Sequence, residues 1–240
     1  MKKRFDHALI TGGSRGLGRA LAERLGAAGT AVSLVARDPG PLHEVASRIR
    51  DRGGRALPIA ADVGDPAAAI AIAGRAVDAH GPVDLLVHAA STLGPVPLRP
   101  LVDLAGEEVA DTFAVNLLGP FRLTRAVLPS MLLARRGTVL AISSDAAVEA
   151  YPTWGAYGSS KAALDHLIAI WAAELEGSGV RARSIDPGEM NTRMHADAMP
   201  EADVTPLADP ADVAVWILEA LQDPTLPLRS AAAAPVEKSA

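Results

Sequence analysis

No cysteine occurs among the 240 residues. Disulfides, thiolate zinc sites and cysteine nucleophiles are thereby excluded, and the composition suits a reducing compartment. Long apolar runs are missing too. The basic opening, "MKKRFDHALITGG", meets its glycines before any stretch of signal-peptide length, and no later stretch is long enough to span a membrane. A cytoplasmic protein is expected. Charge of one sign is nowhere concentrated: 23 Lys and Arg against 28 Asp and Glu give a net charge of −5. Neither nucleic acid nor a membrane is expected as partner. Lysine is scarce, with Lys2, Lys3 and Lys238 near the ends and Lys161 alone inside. Every other cationic side chain is arginine. Lys161 stands four residues after Tyr157, one of only 2 tyrosines.

What is present reads as a folded α/β chain. Apolar residues make up 49% and charged residues 21%, enough to build a sizeable core. Strands are predicted over 7–11, 31–36, 55–63, 83–90, 137–143 and 180–185, the fourth a near-continuous apolar run of the kind buried on both faces. Helices are predicted over 18–29, 41–54, 66–81, 155–177 and 210–222, and a long one over 106–134, bent near Gly119-Pro120. This alternation predicts one doubly wound, Rossmann-like domain over 1–229, with a parallel sheet of six to seven strands covered on both faces. Any seventh strand is a short edge strand near 226–229. The low-complexity stretch 230–240 reads as a mobile tail.

Directly after the first strand comes "TGGSRGLG", residues 11–18, opening the first helix. Glycine there lets backbone approach a pyrophosphate, and the helix N-terminus supplies free N–H groups. The second strand ends in "VARD", residues 35–38. Ala36 stands where a carboxylate would favour a free ribose diol, and Arg37 follows it. Arg15 lies inside the glycine loop. Two guanidiniums beside one 2′-phosphate favour NADP(H) over NAD(H), with Asp38 a mild counter-argument.

On a helix, Tyr157 and Lys161 share a face. A phenol has a pKa of about 10 in water, and a nearby ammonium lowers it toward useful acid–base chemistry. Ser144 lies just past the fifth predicted strand, at the carboxyl edge where such sheets bind ligands. Asn116 is polar within the apolar "FAVNLLGPF", and "DPGEMNT" (186–192) follows the sixth strand.

The T-G-x-x-x-G-x-G spacing of Thr11, Gly12, Gly16 and Gly18, together with Y-x-x-x-K, resembles the short-chain dehydrogenase/reductase family over roughly residues 5–225. The resemblance implies hydride transfer between a nicotinamide cofactor and a ketone, aldehyde or alcohol. It implies that Ser144 holds the substrate oxygen, Tyr157 transfers the proton, Lys161 lowers the tyrosine pKa and binds ribose, and Asn116 supports a proton relay. Ser143 competes for the serine role. Thr11, Gly12, Ser14, Arg15, Gly16, Leu17, Gly18 and Arg37 would contact the cofactor's phosphates, Asp62 and Val63 its adenine. Ala90, Tyr157, Lys161, Pro187, Gly188 and Thr192 would line its nicotinamide end. The family also implies a homodimer or homotetramer, paired through the 106–134 and 155–177 helices.

Two departures stand out. The family's Asn-Asn-Ala-Gly is "HAAS" here, residues 88–91, where His88 reads as a hydrogen-bonded structural residue and Ser91 crowds a position near the ribose. The usual Gly-Gly ending is absent. The remaining histidines lack metal-ligand spacing, so no metal is expected. Trp154, Met190, Met194 and His195 are candidate substrate contacts, methionine suiting an adaptable apolar pocket. "STLGPVPL" (91–98) and "PGEMNTRM" (187–194) resemble the sepiapterin and benzil reductase branch, which implies a carbonyl reductase acting beside a second carbonyl or an aromatic system. Alternatives are a ketoacyl reductase docking a carrier through Arg122, Arg125, Arg135 and Arg136, and a non-catalytic cofactor sensor that binds a partner protein.

Overall fold

The computed structural model describes residues 4–232, so Lys2, Lys3, Lys238 and most of the tail expected over 230–240 lie outside the described residues. Five strands stand in the middle of the sheet: β1 His7–Thr11, β2 Ala31–Ala36, β4 Leu85–His88, β5 Gly137–Ile142 and β6 Val180–Asp186. β3 Ala56–Ala60 and β7 Arg229–Ala231 form its edges. All pairings are parallel, in the order β3-β2-β1-β4-β5-β6-β7. The seventh strand is real but begins where the expected 226–229 strand was to end. Its pairing of Ser184 with Arg229 sets that register.

Alternate residues of each strand serve opposite faces. Ala8 and Ile10 of β1, Leu85 and Val87 of β4, and Leu140 and Ile142 of β5 pack into one core. That core is closed by α1 Gly16–Ala27, α2 Pro39–Asp51 and α8 Pro210–Ala220. Leu9, Leu86, Val139 and Ala141 enter the other core, under α3 Ala68–His80, α5 Gly119–Ala134 and α6 Gly155–Glu174. Both faces are therefore apolar, which is why the central strands lack the alternating pattern of a half-exposed sheet.

Capping chemistry sets several helix starts. Asp38 accepts from Gly40 N–H ahead of Pro39, and Asp209 accepts from Ala211 N–H ahead of Pro210. α3 starts at Ala68 and not at Pro66, because the Asp65 carboxylate first accepts from Ala67 N–H at 2.9 Å and holds a turn there.

The long helix expected over 106–134 is interrupted. α4 Gly106–Phe113 runs into a π-helical turn, Ala114–Leu118, before α5 begins. Pro120 has no N–H, so the Asn116 carbonyl cannot receive the ordinary i→i−4 bond. A wider turn at that place is the structural answer. A short helix, α7 Arg193–Ala198, appears inside the loop after β6.

The chain leaves β1 for β2 and β3 on one side, then crosses to β4 on the other. The reversal opens a crevice at the carboxyl ends of these strands.

Candidate active site

A cleft of about 690 Å³ occupies that crevice. Its floor is the turn from β1 into α1. Gly12 has φ 71°, and a Cβ there would stand 2.7 Å from the Ala90 nitrogen. At Gly18 a Cβ would overlap the Gly12 carbonyl. These two glycines let turn, helix and the β4 exit touch through backbone. Thr11 fastens the same junction, its hydroxyl donating to Val87 O at 3.3 Å and accepting from Ala90 N–H at 3.2 Å. Thr11 is thus buried between strands, whereas Ser14, Arg15, Gly16, Leu17 and Gly18 line the cleft. No side chain caps α1 and no acidic residue lies in its first turn. Its first N–H groups are therefore available to an anion, and the cradle fits a dinucleotide pyrophosphate.

Arg15 and Arg37 are exposed at the cleft beside Ala36. Asp38 spends its carboxylate on Gly40 N–H at 3.0 Å. Asp62 likewise accepts from Gly64 N–H at 2.8 Å, and with Val63 it borders the far end of the cleft.

The proton-transfer candidates stand at the end of β5. Ser144 is half-buried and lines the cleft beside Tyr157. Its hydroxyl donates to Asp145 Oδ1 at 2.9 Å and accepts from Ala146 N–H at 3.2 Å. Ser143, the competing serine, points away: it is buried and donates to Asp165 Oδ2 at 2.7 Å. Lys161 is 3% exposed, donates to Ile142 O at 2.7 Å, and lies 5.6 Å from the centroid of the Tyr157 ring.

The net shift of the phenol is upward, against the lowering expected from Lys161, because desolvation is its largest cause. Desolvation pushes Tyr157 up to about 12, Ser144 pulls it back, and the charges of Asp145 and Asp186 add to the rise. Desolvation also brings Lys161 down to about 8, against the raising charges of Asp165 and Asp186. Near neutral pH the pair is a neutral phenol beside an ammonium.

Asn116, on the π turn, is fully engaged. Its Nδ2 donates to Thr92 O at 2.8 Å and Ser160 Oγ at 2.9 Å, and its Oδ1 accepts from Thr92 N–H at 2.9 Å. Ser91 adds a fourth bond, donating to the same Oδ1 at 3.1 Å. The departure at Ser91 thus ties the β4 exit to the π turn. His88 is buried with Nε2 2.8 Å from Thr124 Oγ1, and burial holds its pKa down to about 3. It is a neutral residue joining β4 to α5, as the sequence reading expected.

The substrate side is apolar at its wall and acidic at its mouth. Trp154, Met194 and Ala198 pack around Leu93, Ala146 and Tyr157. Trp154 meets Tyr157 edge-on at 5.7 Å. Met190 lines the cleft, but it packs mainly on the core under α8 and bridges to Ala208. The His195 side chain is only 10% exposed, with Nε2 3.8 Å from Glu189. Pro187, Gly188 and Thr192 border the cleft, Thr192 capping α7. At the mouth, Tyr151 donates to Asp145 Oδ2 at 2.9 Å. Its phenol is raised by that bond first, then by the charges of Asp145, Glu149 and Glu189.

Arg122, Arg135 and Arg136 do not form one cluster: Arg122 donates to Gly64 O at 3.2 Å near the Asp62–Val63 end of the cleft, and Arg135 donates to Gly177 O at 3.2 Å. Arg136 precedes β5 and pairs with Asp84 at 2.7 Å and Asp6 at 3.1 Å, at the opposite edge of the sheet.

Sequence reasoning missed Asp165, Asp186 and Arg229, which form a charged floor beneath Lys161. One signal was available: Asp165 continues the i, i+4 row from Tyr157 through Lys161. Arg229 carried none, since its place follows from the β6–β7 register. Among the described residues no group of three or more His, Cys, Asp or Glu is arranged to hold a metal ion. No described helix is long and apolar enough to cross a membrane.

Comparison with known proteins gives a concordant picture. The family profile described as short chain dehydrogenase matches residues 6–203. A short chain dehydrogenase of Pseudocercospora fijiensis is 38% identical over 208 residues, which is 84% of this chain and 66% of that protein's length. The 2,3-dihydro-2,3-dihydroxybenzoate dehydrogenase of Bacillus subtilis is 35% identical over 187 residues, covering 78% of this chain and 70% of that one. A metagenomic short-chain oxidoreductase solved in complex with NADP superposes with a TM-score of 0.79 at 32% identity, covering 95% of each chain.

Proposed function

The chain belongs to the short-chain dehydrogenase family, and on that premise we propose that it is an NADP(H)-dependent reductase of ketones or aldehydes. The observation that carries the reading is the gathering of Ser144, Tyr157 and a buried Lys161 in one cleft with the uncapped start of α1. A nicotinamide cofactor supplies or accepts the hydride. The first turn of α1 and the Gly12–Gly18 turn hold its pyrophosphate, and Arg15 with Arg37 take a 2′-phosphate. Ser144 donates a hydrogen bond to the substrate carbonyl oxygen. Tyr157 gives that oxygen its hydroxyl proton. Lys161 stays charged below about 8 and stabilises the phenolate left behind.

Support for NADP over NAD comes from the exposed Arg15 and Arg37, from Ala36 in place of an acid, and from Asp38 being committed to capping α2. Tyr151, Trp154 and Met194 support a flat apolar or aryl group beside the reacting carbon. Asp145 and Glu189, which line the cleft and raise the Tyr151 phenol, favour neutral or cationic substrates over carboxylates. Aryl ketones and dicarbonyls fit this description. Carrier-bound substrates fit less well, because Arg136, one of the arginines suited to docking a carrier, is paired with Asp84 at the amino end of the sheet. Exposed Leu132 and Leu133 on α5 and Ile170 on α6 support pairing of copies through these helices.

The test is a thermal-shift titration of the purified chain with NADPH and with NADH. A ligand bound only by the folded state stabilises it by about 2.7 kcal/mol at a hundredfold excess over Kd. NADPH is expected to raise Tm well above NADH, and Arg15→Ala with Arg37→Ala to remove the difference. A larger shift with NADH would falsify the cofactor preference. No shift with either dinucleotide would overturn the reductase reading.

A further inference from the structure

We propose that Arg229 is a positioning residue for the Ser144–Tyr157–Lys161 centre: from β7 it fixes the backbone at Ser144 and, together with Lys161, balances the buried carboxylates Asp165 and Asp186 beneath it. Arg229 Nη2 donates to Ser144 O at 2.9 Å, and Nε donates to Asp165 Oδ2 at 2.9 Å. Nη2 also lies 3.7 Å from Asp186 Oδ2. Asp165 in turn accepts from Ser143 Oγ at 2.7 Å and from Ser184 Oγ, so its carboxylate braces β5, β6 and β7 together. The register that pairs Ser184 with Arg229 is what points the guanidinium under Ser144. A planar, forked donor reaches a carboxylate and a carbonyl at once, which a lysine cannot do in the same way.

The charges beneath the centre are two and two: Lys161 and Arg229 against Asp165 and Asp186. Lys161 faces Tyr157 and Asp165 on its own helix, Ile142 O at the end of β5, His88 on β4, and Asp186 on β6. Asp145, in the turn after β5, acts on Tyr157 and Asp186. His88 is neutral, so removing one member of the foursome leaves a net charge beside the lysine. Without Arg229 the two carboxylates act on one cation, and Lys161 keeps its proton to higher pH. Without the Asp165 carboxylate, Arg229 opposes the ammonium, and Lys161 loses its proton at lower pH. The two changes have opposite signs, which general damage to the fold does not produce.

Lysine labelled with ¹³C at Cε reads this directly, because the chain has only Lys2, Lys3, Lys161 and Lys238, and the Lys161 signal is assigned by its loss in Lys161→Met. Arg229→Gln is expected to raise the Lys161 midpoint by about a unit, and Asp165→Asn to lower it by about a unit. Arg229→Lys keeps the charge and stays near the parent value. Unchanged midpoints in Arg229→Gln and Asp165→Asn, or shifts of the same sign, overturn the proposal. If Arg229→Gln does not fold, Arg229→Met takes its place: a raised midpoint supports the proposal and an unchanged one sinks it.

A kinetic arm rests on the reductase reading. Arg229→Gln should slow kcat about tenfold or more through a displaced Ser144, with NADPH affinity changed less than about threefold. Opposite midpoint shifts without any reductase activity in the parent protein would leave Arg229 in its place and remove the reductase reading instead.

Discussion

At the scale of single residues, burial decides what the reactive side chains are. A tyrosine held near 12 does not ionise near neutral pH. Under the proposed function it would serve reduction, where a proton is given, more readily than oxidation, where one is taken. Lys161, held near 8, must stay charged to support that step. Reduction is therefore expected to be full below about pH 8 and to fall as Lys161 loses its proton above it, which a pH profile of kcat reads. Tyr157→Phe removes the transferable proton and should cost about 10²–10⁴ in kcat, the range for general acid catalysis. NADPH binding, followed by thermal shift, should survive the change. Retention of full turnover would end the assignment. The shared face of Tyr157 and Lys161 was legible from their spacing, and their role was read only together with Ser144, Asn116 and the segment 186–192. The direction of the phenol's shift was not legible, because desolvation depends on neighbours that only folding supplies.

Among elements, the β1–α1 turn and α3 give opposite answers to the same substitution. Gly18 lies where a Cβ would overlap the Gly12 carbonyl, so Gly18→Ala forces the turn and the helix apart. A loss of about 1–3 kcal/mol is expected, together with weaker NADPH binding. Gly74, inside α3, has nothing within 4 Å of the position a Cβ would take. There alanine should add about 0.5–1 kcal/mol through helix propensity. Chemical denaturation of the two variants measures both. The helix start at Pro210 was readable because capping is local, whereas α2 begins at Pro39, two residues before the expected Pro41, because Asp38 caps it. The π turn at Ala114–Leu118 was not. Pro120 marks the break in sequence, but the wider turn is also held by Asn116 bonds to Thr92 and Ser160, which come from distant segments.

For the whole molecule, three histidines are folded away uncharged. His88 is held down to about 3 by burial and by Lys161. His7 and His80, 5.3 Å apart at the amino end of the sheet, are also lowered, burial being the largest cause for each. His7 faces Gly81 O, Ser33, Asp84 and Arg55, and His80 faces Arg55. The unfolded chain takes up these protons near 6.5 and the folded chain only at lower pH. Stability therefore falls as pH drops below about 6.5, by up to about 1.4 kcal/mol per unit for each histidine that stays neutral. Denaturant titrations between about pH 7 and 4 should show that slope, and His88→Asn should flatten it. A slope unchanged by that substitution would move the effect to the carboxylates.

The sequence by itself determined what short range can carry. Apolar runs, glycine ends and capping residues set the alternation of strands and helices, because their periods and dihedral demands are written within a few neighbouring residues. The glycine turn and the Tyr157–Lys161 spacing belong to the same class. Tertiary structure alone decided which distant residues share the site. Arg229 meets Asp165 across 64 positions and Ser144 across 85. His88 reaches Thr124 across 36. Those meetings depend on strand order and on the register of β6 with β7. Register is set by the packing of both cores at once, and no local pattern in the chain encodes that.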